Sequence, residues 1–490
     1  MKILMLNPPF IPGYSRQSRS PCVTKGGTFY YPYYLAYGTG ALEKNGFRVK
    51  LVDAIADDWT HEDTIKFVKK FKPDLVVMDT STPSIKNDIL IVDEIKKILP
   101  HSHLCLGGTH AGKVPDETFQ MSKNIDSIIR KEYDFAVLDL AKAIEDNKNL
   151  ETVDGISFRK NGKIIHNKPR ANIENLDDLP FVSEVYLRHF GKKGIKKYFY
   201  ASVRWPQVTI LTARGCPYNC SFCNIPSKNS YRVRSPENVV EEFEFIQNKL
   251  PFVKEVMIED DTFPVDKNRI LKICELLKKE KIDLPWSCNA RVNTDEETLI
   301  AMKNSGCRLV CVGFESESQH VLNAIHKGTT KKMQFDFMKK VRKIGLLVNG
   351  CFIFGLPNDT IKTIRNTIEM AKKLNPDTAQ FYPLMVYPGT EAFEWAKENG
   401  YLLTTDYEKW ITPEGWHDTT ISRPDLPKEK VLEMCDIARK EFYLRPKYIV
   451  QKIIQSMTNF EEAKRTLIAF KTFSRWLLKK GLKTVDFFEE

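Results

Sequence analysis

No run of 18 or more apolar residues occurs in this 490-residue chain, so no segment reads as a membrane-spanning helix. The opening stretch from Met1 to Pro9 lacks the apolar length of an export signal. Both absences predict a soluble protein of the cytoplasm, and a composition of 42% hydrophobic and 28% charged residues suits two or three globular domains. Charge of one sign is in little excess: 74 Lys plus Arg against 63 Asp plus Glu leaves a formal +11. RNP, zinc-finger and helix-turn-helix patterns are also missing, and nucleic acid is not an expected partner. A nicotinamide or flavin fingerprint fails as well, because Gly38-x-Gly40 does not follow a strand and Glu43 stands in the third glycine position. The eleven Cys are spread through a large chain, so reduced thiols are expected rather than a disulfide framework.

Three of those cysteines carry the strongest signal. Cys216, Cys220 and Cys223 lie in Leu211-Thr-Ala-Arg-Gly-Cys-Pro-Tyr-Asn-Cys-Ser-Phe-Cys-Asn224. A structural zinc wants four closed ligands, commonly as two CxxC-like pairs, and no fourth Cys or His is near in sequence. Three thiolates suit a [4Fe-4S] cluster with one iron left free of protein ligands, where a cosubstrate can bind. The alternative is three thiols in an ordinary turn. Cys307 and Cys311 share a CxxxC spacing, but they fall on a strand, where thiols behave as small buried hydrophobes.

The CxxxCxxC loop, with Phe222 before its last Cys, resembles the signature of the radical S-adenosylmethionine (radical SAM) enzymes. The resemblance implies that the three Cys hold the cluster and that S-adenosylmethionine chelates the fourth iron. Reductive cleavage then yields a 5′-deoxyadenosyl radical that abstracts hydrogen. An electron donor such as a reduced flavodoxin or ferredoxin is implied with it.

The first 145 residues alternate strand and helix patterns. Apolar runs at Lys2 to Leu6, Val49 to Asp53, Asp74 to Met78, Leu104 to Leu106 and Asp126 to Ile129 predict a Rossmann-like parallel sheet with helices on both faces. Ligands dock at the carboxyl ends of such strands, here Asn7-Pro8-Pro9, Thr80-Ser81-Thr82-Pro83 and Gly107-Gly108-Thr109-His110. These segments resemble the cobalamin-binding domain that one radical SAM subfamily carries, which implies Thr80, Ser81, Gly107, Gly108 and His110 as cobalamin contacts. The Asp-x-His-x-x-Gly motif that delivers an axial imidazole is missing, so no histidine is expected on cobalt; His110 reads better as a loop or capping residue than as a ligand to the metal. The Tyr30-Tyr31-Pro32-Tyr33-Tyr34 cluster either covers a flat macrocycle or belongs to the core.

Residues 146–200 read as a linker with a small hairpin. From 201 to 400, six strand-helix units predict a partial (β/α)6 barrel whose loops at the carboxyl strand ends carry the chemistry, the Cys loop following the first strand. The resemblance assigns SAM contacts to Asp260 and Asp261, Asn289 and Arg291, Glu315, and Gly355. Asp260, Asp261 and Gly355 have structural alternatives: acids at a strand end cap helices, and glycines pack against neighbouring strands. Residues 401–490 predict amphipathic helices. The last, Phe470 to Leu482, mixes aromatic and basic residues and either packs on its own domain or lies against an anionic membrane, a placement that suits a lipid substrate.

The resulting expectation is a cobalamin-dependent radical SAM methyltransferase acting at an unactivated carbon or phosphorus of a small molecule or lipid. An oxidative cyclase of tetrapyrrole type shares the layout. A corrinoid carrier or sensor has no need of an open iron.

Overall fold

Buried Val, Ile and Leu runs build the first sheet. The computed structural model describes residues 1–458 and 460–479. β1 (Lys2–Asn7), β2 (Arg48–Asp53), β3 (Leu75–Thr80), β4 (His103–Gly108) and β5 (Ser127–Ile129) run parallel in the order β2-β1-β3-β4-β5. β1 and β3 are covered on both faces, as helix-flanked parallel strands must be. The order reverses at β1 and β3, which makes their carboxyl ends the natural crevice. The hairpin foreseen near residue 160 forms as β6 (Ile156–Lys160) and β7 (Lys163–His166), and it extends this sheet through an antiparallel β5–β6 pair.

The second sheet has six parallel strands and does not close. It starts with β8 (Gln207–Ile210), and a short antiparallel pair, β9 (Ala213–Arg214) with β10 (Arg232–Val233), brackets the cysteine loop. The remaining strands are β11 (Glu255–Ile258), β12 (Trp286–Ala290), β13 (Cys307–Glu315), β14 (Leu347–Phe354) and β15 (Thr378–Pro383), in the order β8-β11-β12-β13-β14-β15. Local capping starts several of the intervening helices: Ser235, Asp266, Asp295 and Thr330 each accept from the backbone N–H three residues on. β8 stops at Ile210, because the N–H groups of Thr212 and Ala213 turn to the Asp260 carboxylate.

One apolar core runs from Ile3 in the first sheet through β8 to β15 and on to Tyr448, so the two sheets share their interior. At the amino ends of the barrel strands, the helix Phe460–Lys479 is anchored by Glu462, which receives Arg308 at 2.9 Å while Arg308 also donates to Glu255 at 2.8 Å. Among the described residues no helix is long and apolar enough to cross a membrane. The basic aromatic stretch Phe470 to Leu482 lies partly outside the described residues.

Candidate functional site

The cysteine loop is folded tightly before any ligand is considered. Gly215 has φ +82°, and a Cβ there would sit 1.8 Å from the Ser230 carbonyl oxygen, so the loop returns on itself only with glycine at this point. Asn229 N–H donates to the Cys216 carbonyl at 3.1 Å, and the Lys228 ammonium donates to the Cys220 carbonyl at 2.8 Å. Asp260 fixes the loop's root by accepting from Thr212 N–H and Oγ1, both at 2.6 Å, and from Ala213 N–H at 3.0 Å. Cys216 and Cys220 are buried and Cys223 half-buried, all as free thiols. Burial, Asp261 and Cys220 push the Cys223 thiol up to about 11. Among the described residues no three His, Cys, Asp or Glu side chains converge on one metal-ion position. Three thiolates that each hold a separate iron of a cubane do not converge on one point either.

This loop faces the carboxyl ends of the first sheet across a cleft. Its wall combines Thr80, Gly108 and Thr109 of the first sheet with Ala213, Arg214 and Asn224 of the cysteine loop. Gly108 has φ +97°, and a Cβ there would lie 2.3 Å from the Thr80 carbonyl oxygen, so only glycine fits at this point beside the end of β3. Polar atoms without partners gather on the same wall: Tyr133 OH, Asn224 Oδ1, Thr109 Oγ1, Gln17 Oε1 and Glu259 Oε2. Buried orphans of this kind are costly unless a ligand satisfies them. Burial pushes the Asp79 carboxyl, also on the wall, up to about 7.

The residues singled out from the sequence divide by location. Asp261 lines the cleft, whereas the Asp260 carboxylate is spent on the loop root. Asn289 donates to the Asp260 carbonyl at 3.0 Å. Arg291 stacks on Tyr218 of the cysteine loop at 3.6 Å, donates to the Lys327 carbonyl and keeps Nε without a partner. Glu315 takes φ +61°, receives Lys327 at 2.7 Å and leaves Oε2 free. The Gly355 N–H goes to Asp359, and Phe222 packs in the apolar cluster beneath the loop. In the first sheet, Thr80 and Gly108 line the cleft. Ser81 is bound to Tyr14 and Ser84, and Gly107 lies under the Tyr133 ring. His110 is not on the cleft wall: it bonds Thr82 and packs edge-on against Tyr407 at 5.0 Å, and burial holds its imidazole down to about 3.

Comparison with known proteins follows the same division. Residues 210–371 match the Radical SAM superfamily, and residues 20–141 match the B12 binding domain. An uncharacterized methyltransferase of Pyrococcus horikoshii is 33% identical over 458 residues, covering 93% of this chain and 95% of that protein. The chain belongs to the radical SAM enzymes that carry a cobalamin-binding domain. The anaerobic magnesium-protoporphyrin IX monomethyl ester cyclase of Rubrivivax gelatinosus is 25% identical, over 85% of this chain and 74% of its own length. Among solved structures, the radical SAM methyltransferase TsrM of Kitasatospora setae, with cobalamin and a [4Fe-4S] cluster bound, superposes with a TM-score of 0.67 at 17% identity, covering 89% and 88% of the two chains. That likeness is one of fold.

For this radical SAM enzyme, the sequence motifs leave out one segment that joins the two halves of the cleft. Arg19, on the irregular stretch between β1 and the helix Tyr33–Lys44, reaches Glu259 at 2.8 Å and Asp261 at 3.5 Å. Its neighbour Ser20 bonds Tyr387 and His417 across the barrel. The signal available was only a cluster of polar residues in a long connection.

Proposed function

We propose that the chain is a cobalamin-dependent radical SAM methyltransferase whose Cys216, Cys220 and Cys223 hold a [4Fe-4S] cluster. The observation that carries this reading is the single cleft in which the cysteine loop and the switch-point ends of the first sheet face each other, lined by partnerless polar atoms. Those atoms fit an amide-rich macrocycle, and Gly108 lies on the wall they share. Three thiols on one glycine-turned loop fit the cluster. When bound, the cluster supplies the electron that cleaves S-adenosylmethionine, and cobalamin carries the methyl group.

The chain's own residues position and shield. Asp261 and Glu259, at the end of β11, meet the methionine amine, for which Arg19 is the present counter-cation. Arg291, already oriented by Tyr218, meets the carboxylate. Glu315, held by Lys327 with one oxygen free, accepts from the ribose. The tyrosines divide the work of excluding water: Tyr33 and Tyr34 line the cleft, while Tyr31 stacks on Tyr186 and Tyr198 in the core.

Anaerobic reconstitution is expected to give about four iron per chain. Replacing all three loop cysteines with Ala removes that iron and 5′-deoxyadenosine formation while cobalt stays bound; continued 5′-deoxyadenosine formation by the triple variant refutes the assignment. The likeness to the cyclase supports a second reading, oxidative ring closure. S-adenosylmethionine labelled in its methyl group separates the two, because only the methyltransferase moves the label into product.

A further inference from the structure

The cleft carries a charge imbalance. Five cations line it, and three have acid partners: Arg16 with Asp88 at 2.6 Å, Arg19 with Glu259 at 2.8 Å and Arg214 with Asp134 at 3.1 Å. Of the four acids on the wall, Glu132 is held by Arg232 at 2.5 Å, Glu259 and Asp261 face Arg19, and Asp79 accepts from Gln17. Lys113 and Lys131 have no carboxylate within 4.0 Å among the described residues.

Backbone packing sets the two lysines side by side. A Cβ at Gly112 would lie 3.5 Å from Lys131 N, and the Lys113 stem rests against Gly389 of the loop that follows β15, 3.4 Å from where a Cβ would stand. Lys113 thus spans the seam from the first sheet to the barrel. Lys228, fixed on the Cys220 carbonyl, adds a third positive charge from the cysteine loop. Partial desolvation, then Lys228 and Lys131, holds the Lys113 ammonium below its usual range. An unpaired cationic rim with that history is stabilised by an anion. On the same cleft wall Tyr133, 4% exposed and two residues along the chain from Lys131, has a buried hydroxyl without a hydrogen-bond partner.

We propose that Lys113 and Lys131, with the Tyr133 hydroxyl, form an oxyanion subsite that binds a phosphate-ester group of the substrate at the mouth of the cleft. The inference rests on the proposed function, which places the target between the cysteine loop and the first sheet. Phosphate-ester chemistry has two sources here, the substrate and the phosphodiester of cobalamin itself. The contact of Lys113 with the barrel and the nearness of Lys228 put the subsite on the barrel side of the cleft, where the substrate must lie.

The test uses protein loaded with both cluster and cobalamin, iron and cobalt being measured first, and inorganic pyrophosphate as the probe. Equilibrium dialysis is expected to show one saturable site that weakens with added salt. In the K113Q/K131Q variant the affinity falls about tenfold or more, as for the loss of two charge-assisted bonds. Iron and cobalt contents and the melting temperature stay unchanged, and K113R/K131R retains binding. Two results overturn the subsite: an affinity that the glutamine variant leaves intact, or pyrophosphate binding confined to cobalamin-free protein together with loss of cobalt in the variant. The second assigns the lysines to the cofactor's own phosphodiester. Failure of the functional reading shows separately, as missing iron or cobalt in the unaltered protein.

Discussion

Asp79 shows how a single buried carboxyl at the cleft writes itself into stability. It accepts from Gln17, and burial raises it from 3.8 to about 7, against the opposing field of Arg16. The native state therefore holds this proton more tightly than the unfolded chain does. Stability contributed by the protonated form is fully present below pH about 4 and is lost as pH rises toward about 7. Asn at this position is neutral throughout. The apo D79N variant is expected to melt with the wild type near pH 4 and above it at pH 8, the gap opening between those values. Thermal melts by circular dichroism across that range check it, and a gap independent of pH excludes Asp79 as the titrating group. At this scale the sequence was informative where chemistry is local. The three cysteines announce themselves by spacing, whereas the need for glycine at 215 appears only in the folded loop. Asp260 and Asp261 are neighbours in sequence with different tasks, one bonded to Thr212 and one facing the cleft, and only the three-dimensional path of the loop separates them.

Strands and helices were legible because each sheet is built from parallel strands with continuous apolar runs, and each run is separated from the next by an amphipathic helix. Less legible were the elements whose structure depends on distant partners. The hairpin β6–β7 has its own turn signal, yet its place on the edge of the first sheet depends on pairing with β5. The long connection from Pro8 to Pro32 lacks any period, and its path is set by bonds such as Arg19 to Glu259, 240 residues away. The helix Phe460–Lys479 likewise depends on its docking. Arg308, at the start of β13, donates to Glu255 and Glu462, which are both buried, and to the Ser202 carbonyl at 2.5 Å. Removing the cation leaves the fully buried Glu255 with only neutral donors, Ser287 and the Arg204 N–H, while Glu462 keeps Arg465 at 3.0 Å. R308M is expected to lower unfolding stability by about 3–5 kcal/mol. Urea titration reads that loss, and an effect within about 0.5 kcal/mol is what a solvent-exposed pair gives instead.

The molecule as a whole joins two sheets that the sequence reads as separate domains. Their seam is apolar and hydrogen-bonded at once. Tyr31 donates to the Gln207 carbonyl at 2.7 Å, and the Tyr37 hydroxyl accepts from Leu211 N–H at 3.0 Å, so the start of the helix Tyr33–Lys44 and the residue just before its cap hold both ends of β8. Arg214 crosses to Asp134 and lies over the rings of Tyr34 and Tyr37 at 4.9 and 5.0 Å. One continuous cluster of buried side chains spans both halves. Domains that meet through small polar interfaces unfold independently, whereas a shared core couples them. Calorimetry of the cofactor-free chain is therefore expected to give one main transition spanning both sheets, with van't Hoff and calorimetric enthalpies in agreement. Y31A, which removes a ring from the seam core, is expected to lower that transition as a unit rather than split it, at a cost of about 3–5 kcal/mol for a buried aromatic. Two resolved transitions, only one of which responds to Y31A, mean that the seam is too weak to couple the halves, and the cleft then owes its geometry to the ligands that fill it.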